Sequence, residues 1–153
     1  MSWGHGRGDG EAKADESFGE LVSTVLAKAP ERSNIPNRIE MLAAGPGLSG
    51  DVSNVRYQLL HSVAASLIFA AEQEAAAAVF AVFEFHGANC SAENLERNSS
   101  DLKKFFALLG GAAEPLQVGQ LSGPFRVPGR GKIPAKIPLF VGKAIREVRA
   151  RPV

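Results

Sequence analysis

The residue types that could do chemistry fall in a few short stretches. Asp9-Gly10-Glu11-Ala12-Lys13 places two acids and a lysine within five positions, and two-residue alternation would turn Asp9 and Glu11 to one side of an extended segment. His86 and Cys90 stand four residues apart and could pair as base and nucleophile. No third group is in sight to orient them, and a structural cysteine is the stronger reading. His5, His61 and His86 are too scattered for zinc, which takes four clustered nitrogen or sulfur ligands. Tyr57 and His61, one helical turn apart, read as the polar edge of a packed helix. Gly45-Pro46-Gly47-Leu48-Ser49-Gly50 spells the dinucleotide fingerprint, but that motif must leave a strand and open a helix, and this one follows a helix. Gly129-Arg130-Gly131-Lys132 lacks the Ser/Thr and the spacing of a phosphate-binding loop and reads as a basic turn.

Charge supplies a further signal. Net charge is only +1, yet from Leu116 onward eight basic residues face one acid, +7, while the first 115 residues hold nine basic and fifteen acidic groups, −6. Arg126, Arg130, Lys132, Lys136, Lys143 and Arg146 are therefore the residues expected to meet an anionic or nucleoprotein partner, the plainer alternative being a solvated basic surface. Nucleic acid is compatible with this tail, although no groove-reading motif accompanies it. Opposite charge on the two parts is equally compatible with a homodimer. Trp3, the single tryptophan, is either a peg into the core or an exposed anchor for a partner.

These residues need a scaffold, and 153 residues suffice for one domain that buries roughly 70% of its unfolded surface. The single cysteine excludes an internal disulfide framework. No apolar run reaches the ~20 residues of a membrane span, and the N-terminus has no signal-peptide core, so the expected compartment is the cytoplasm. Residues 1–10 carry four glycines and are expected to be loose, and residues 116–153 form a basic portion rich in strands and turns.

Ser17 with Glu20 forms a capping box ahead of Leu21, Val22, Val25 and Leu26, predicting a helix over about 17–29, ended by Pro30. Pro36 suits the first turn of a second helix with Ile39 and Leu42 inward and Gly45 as its stop. Val52, Val55, Leu59, Leu60, Val63, Leu67, Ile68 and Ala71 make the strongest stripe, a helix starting after Asp51 or Ser53 and reaching about residue 74. The run from Ala78 to Phe85 is β-branched and aromatic, as in a central strand buried on both faces. Ser91 or Ser100 caps another helix that buries Leu102, Phe105 and Phe106 and stops at Gly110-Gly111. Short strands are expected at 116–121, 125–127 and 137–141, followed by a terminal helix over 142–149. The class is α/β, with α+β as the variant: a small mixed sheet of three or four strands flanked by helices.

Glu11-Ala12-Lys13, the acidic pair Asp15-Glu16 before Phe18-Gly19, and the later Arg56-Tyr57-Gln58-Leu59-Leu60-His61 together resemble the PD-(D/E)XK, restriction-endonuclease-like superfamily, in an uncharacterised bacterial and phage branch. The likeness continues through Val79 to Phe85 and Ile137 to Gly142. It implies a nuclease-like core in which an acid on one strand and the Glu of Glu-x-Lys on the next hold magnesium, and the lysine orients water. Carried over, Glu11 and Asp9 would be metal ligands, Lys13 the water-orienting group and Gln58 the supporting helix residue. The superfamily's first helix, first two strands and upstream acid should precede Glu11, where ten residues stand. The expectation therefore leans against turnover, with no catalytic residue, metal or cofactor. It favours a non-catalytic interaction protein on a degenerate nuclease-like fold, of the antidefence, anti-CRISPR type. The alternative is a magnesium-dependent DNA endonuclease whose metal site a dimer partner completes.

Overall fold

The structure, a computed structural model, describes residues 16–88, 90–111 and 116–149. Its elements run α1 (Val22–Lys28), α2 (Ile35–Ala44), α3 (Tyr57–Glu72), β1 (Ala78–His86), α4 (Ala92–Leu108), β2 (Leu121–Phe125) and β3 (Leu139–Glu147). The strands form one mixed sheet in the order β1-β3-β2, with β1 parallel and β2 antiparallel to β3. The mixed α/β class expected from the sequence is the one found.

The α3 stripe forms the middle of the core: Leu59, Leu60, Val63, Ala64, Leu67 and Ala70 are all buried. Their three- and four-residue spacing puts them on one face of the helix. The helix starts at Tyr57, later than the capping residues suggested, because Asp51 is used locally. Its carboxylate accepts the Ser53 N–H at 2.9 Å and the Ser53 hydroxyl, closing an Asx turn instead of a cap. Those two bonds hold the Asp51 carboxyl below its ordinary range.

The start of α1 is also later than the capping box implied. Val22 and Ser23 N–H groups donate to the Val55 and Ser53 carbonyls at 2.9 and 3.0 Å, and Tyr57 N–H donates to Glu20 O at 2.9 Å. Backbone pairing with the entry to α3 thus takes up the groups a helix would have used, and the Glu20 side chain pairs with Lys28. Pro36 and the inward Ile39 and Leu42 of α2 are as expected. Of the two candidate caps for α4, Ser91 is used, its hydroxyl accepting the Asn94 N–H at 3.1 Å.

Three strand expectations are corrected. β2 lies at 121–125, between the two short pieces expected at 116–121 and 125–127. Residues 142–149 do not form a helix, for β3 runs on to Glu147 as the central strand, pairing with both neighbours. Gly142 permits this: it registers with Ala81 on one side and Leu121 on the other, and an added Cβ would stand 2.7 Å from Leu121 Cδ2. β1 is a strand as expected but not a central one, because among the described residues it pairs only with β3.

Ala78, Phe80, Leu139 and Val141 share the covered face, where Phe80 meets Phe105 of α4 edge-on at 6.2 Å. Phe106 of the same helix meets Phe125 of β2 at 5.5 Å. Burying Phe105 completely contributes about 2–3 kcal/mol through the hydrophobic effect. The other face of β1 carries Val79 and Phe83, which are 46% and 64% exposed, so the strand is not buried on both faces.

Candidate functional site

Two groups of polar residues stand out, one internal to the sheet and one at the surface. On the covered face, toward the ends of the parallel strands, Val82 registers with Lys143 and Glu84 with Ile145. This stagger lets Lys143 reach diagonally to Glu84, Nζ to Oε2 at 2.8 Å, with both side chains largely buried. The other Glu84 oxygen contacts His86 Nε2 at 2.5 Å, and His86 Nδ1 lies 4.0 Å from Glu147. Burial by itself would raise the Glu84 pKa. The hydrogen bonds from Lys143 and His86, followed by their charges, outweigh it and hold the carboxyl below its ordinary value. Chemically this is a closed cluster, since both carboxylate oxygens already have partners.

Lys143 is therefore removed from the set of residues expected to face a partner. The remaining expected cations behave differently. The connection between β2 and β3 is held by Val127 and Ile133, each 2% exposed. Arg130 and Ile133 exchange backbone hydrogen bonds at 3.0 Å, Gly129 N–H donates to Gly45 O at 2.9 Å, and Lys136 N–H donates to Val127 O at 3.1 Å. Gly45 provides the seat: a Cβ there would fall 2.5 Å from Ile133 Cδ1. A Cβ added at Gly47 would stand 3.0 Å from Pro128 Cδ. The glycine-rich stretch that mimics a dinucleotide fingerprint thus serves to let this loop approach α2.

On that anchored loop, Arg126, Arg130, Lys132 and Lys136 are exposed. Arg130 forms an ion pair with Glu40 at 2.9 Å. Among the described residues no ion pair engages Arg126, Lys132 or Lys136. Lys136 adopts φ 70°, a left-handed conformation uncommon for a residue with a Cβ. The loop borders two open clefts. One, about 230 Å³, is lined by Phe125, Arg126, Lys136 and Ile137. The other, about 590 Å³, has Met41 and Ile68 in its wall and Arg38, His61 and Lys132 along it.

Every element that bears these features lies inside one stretch of family similarity. Residues 11–148 match the family described as a domain of unknown function, DUF6946. The chain belongs to that family. No curated protein and no solved structure matches the DUF6946 chain.

Of the other residues singled out from sequence, Trp3, His5, Asp9, Glu11 and Lys13 lie outside the described residues, as does the loose segment expected at 1–10. Gln58 is exposed in the first turn of α3, beside Gly19, where an added Cβ would stand 3.7 Å from Gln58 Cβ. Arg146 is exposed on β3. Cys90 donates its thiol to Phe85 O at 3.1 Å, and His86 turns to Glu84 instead, so the two do not form the base and nucleophile pair that spacing allowed. Among the described residues, no three His, Cys, Asp or Glu side chains cluster as metal ligands.

Sequence reasoning missed the Arg56–Asp101 pair. Arg56 Nε donates to Asp101 Oδ2 at 2.7 Å and Nη1 to Gly19 O at 3.0 Å, with Asp101 only 5% exposed. A usable signal was present, since Asp101 falls four residues before Phe105, on the inward stripe of α4. Glu84 carried the same kind of signal, as the one acid within an otherwise apolar strand.

Proposed function

We propose that this DUF6946 chain is a binding protein that grips an anionic protein or nucleoprotein partner with the loop between β2 and β3. The observation that supports it is the construction of the loop: two buried pegs, Val127 and Ile133, present Arg126, Lys132 and Lys136 beside two clefts with apolar walls. A loop ordered before its partner arrives loses less conformational freedom on binding than a floppy basic tail does. Left-handed Lys136 fits this reading, because unfavourable backbone conformations tend to gather at ligand clamps. The role assigned is inhibitory and non-catalytic, in the cytoplasm. An antidefence protein of anti-CRISPR type, which occupies the nucleic-acid path of a nuclease, would need this combination of fixed cations and apolar surface.

The test is fluorescence anisotropy with a labelled DNA duplex and, separately, with a polyanion such as heparin, across a salt series. Replacing Arg126, Lys132 and Lys136 together with alanine should abolish binding to both probes. The wild type should weaken in proportion to the counterions released. Binding that survives the triple variant unchanged, with no salt dependence, defeats the proposal.

A second reading keeps one supporting observation. Exposed Gln58 sits against Gly19, close in sequence to Lys13, where the superfamily likeness wants its helix residue. Under that reading the protein is a magnesium-dependent endonuclease completed by a second chain. DNA cleavage that requires magnesium and is lost in Glu11→Ala, Lys13→Ala and Gln58→Ala would establish it and displace the binding role.

A further inference from the structure

Among the described residues β1 is an edge strand, and it lacks the usual defences of an edge. Ala78 N–H donates to Pro138 O at 2.9 Å and His86 O accepts Val148 N–H at 2.6 Å, so the even-numbered residues of β1 turn their backbone groups toward β3. Alternation then turns those of Val79, Ala81, Phe83 and Phe85 to the opposite edge. Among the described residues, one of these groups has a partner: Phe85 O accepts the Cys90 thiol at 3.1 Å. Natural edges are blunted by lysine, proline, bulges or brevity. β1 has nine residues, neither lysine nor proline, and an unbroken register with β3. Its one acid, Glu84, lies on the covered face and is matched by Lys143. The open face beside this edge presents Val79, Ala81 and Phe83.

We infer that β1 pairs antiparallel with β1 of a second copy of this chain, about a two-fold axis at Ala81. This register sets Val79 of each copy opposite Phe83 of the other and Ala81 opposite itself, all with their backbone groups directed at one another. Two aromatic–β-branched pairs result on the open face, the kind of cross-strand contact that stabilises sheets. Phe85 falls opposite Ala77, which precedes the strand, so the paired stretch ends before it and Phe85 O keeps its Cys90 partner. Charge selects the same orientation. Exposed Glu72 and Glu74 precede β1, whereas exposed Arg146, beside Phe85, and Arg149 stand at its far end. Antiparallel pairing brings each acidic end alongside a basic end, and parallel pairing would bring like ends together. Glu147, also at the basic end, belongs to the other face, with His86. The product is a continuous sheet of six strands with β1 and its copy at the centre, the position that the apolar sequence of β1 suits.

The experiment is light scattering on the full chain over about 1–100 μM, a range that spans the affinities usual for weak dimers. The expected mass is twice the 16.2 kDa of one chain. Ala81→Pro removes an N–H that points away from β3, so the fold should survive, as checked by circular dichroism, while the mass drops to one chain. Phe83→Lys should do the same by placing a charge on the pairing face. In a Cys90→Ser background, Ala81→Cys should give a disulfide-linked dimer with diamide, and Ser99→Cys on α4 should not. A wild-type mass of 16.2 kDa throughout the range overturns the inference, as does a dimer that persists in both Ala81→Pro and Phe83→Lys. A monomer with the Phe83 amide protected from hydrogen exchange would mean that the edge is covered within one chain, and would overturn it equally.

Discussion

Replacing Lys143 with methionine tests how the sheet's internal cluster is held. Methionine keeps most of the aliphatic stem, so the principal loss is the charge and hydrogen bond to Glu84 Oε2, 2.8 Å away. Both side chains are less than 15% exposed, 11% for Lys143 and 14% for Glu84, so solvent does little to replace the lost partner. Stranding one charge of a buried pair costs about 3–5 kcal/mol. His86 still holds the other oxygen, which points to the lower end, about 3 kcal/mol at pH 7.

With a urea slope of about 2 kcal/mol/M, the midpoint followed by circular dichroism should fall by about 1.5 M. The pH dependence supplies the sharper test. The folded pKa of Glu84 lies below its ordinary value of 4.5, so its stabilising contribution is complete above that value and is lost as pH falls through the depressed one. In Lys143→Met the carboxyl can take a proton and leave no stranded charge, so the gap between variant and wild type should shrink markedly at pH 3.5. Adding Glu84→Gln to Lys143→Met should recover part of the loss at pH 7. A loss under about 0.5 kcal/mol, typical of a surface pair, would refute the reasoning, as would a loss equal at both pH values.

Two further substitutions probe the remaining contacts. Gly45→Ala should destabilise by about 1–3 kcal/mol and weaken anion binding together, because the new Cβ displaces Ile133 and the loop it anchors. Helix propensity alone would make the same change favourable, so a rise in the thermal midpoint would show that the loop does not sit against α2. Asp101→Asn keeps size but removes the charge facing Arg56. It should cost about 2–3 kcal/mol by chemical denaturation, and a change within 0.5 kcal/mol would mean that the buried pair contributes little.

Periodicity revealed the elements whose burial is one-sided. The α3 stripe, the inward residues of α2 and the Phe105–Phe106 face of α4 are all visible as three- and four-residue spacing, because packing enforces it. Helix starts were less legible. Ser17, Glu20, Asp51 and Ser53 have capping chemistry, but backbone pairing between 20–23 and 53–57 overrides it, a contact made across some thirty residues. The segment after Gly142 misled because Lys, Ile, Arg and Glu suit a helix as readily as a strand, and only its pairing with two neighbours decides. In the candidate site, composition correctly located a basic region. It could not distinguish Lys143, committed to Glu84, from Lys132 and Lys136, which stay at the surface. That difference depends on which face of a strand each residue occupies.

The sheet order also governs how the protein can be made. Among the described residues β1 and β2 each pair with β3 and not with each other, so neither meets its described partner until residues 139–147 have left the ribosome. Throughout that interval the apolar run Ala78–His86 waits without its ladder, and local helices can form around it but cannot satisfy it. During synthesis, crowding of nascent chains or a delay before residues 139–147 are made would therefore expose this strand to the wrong neighbour.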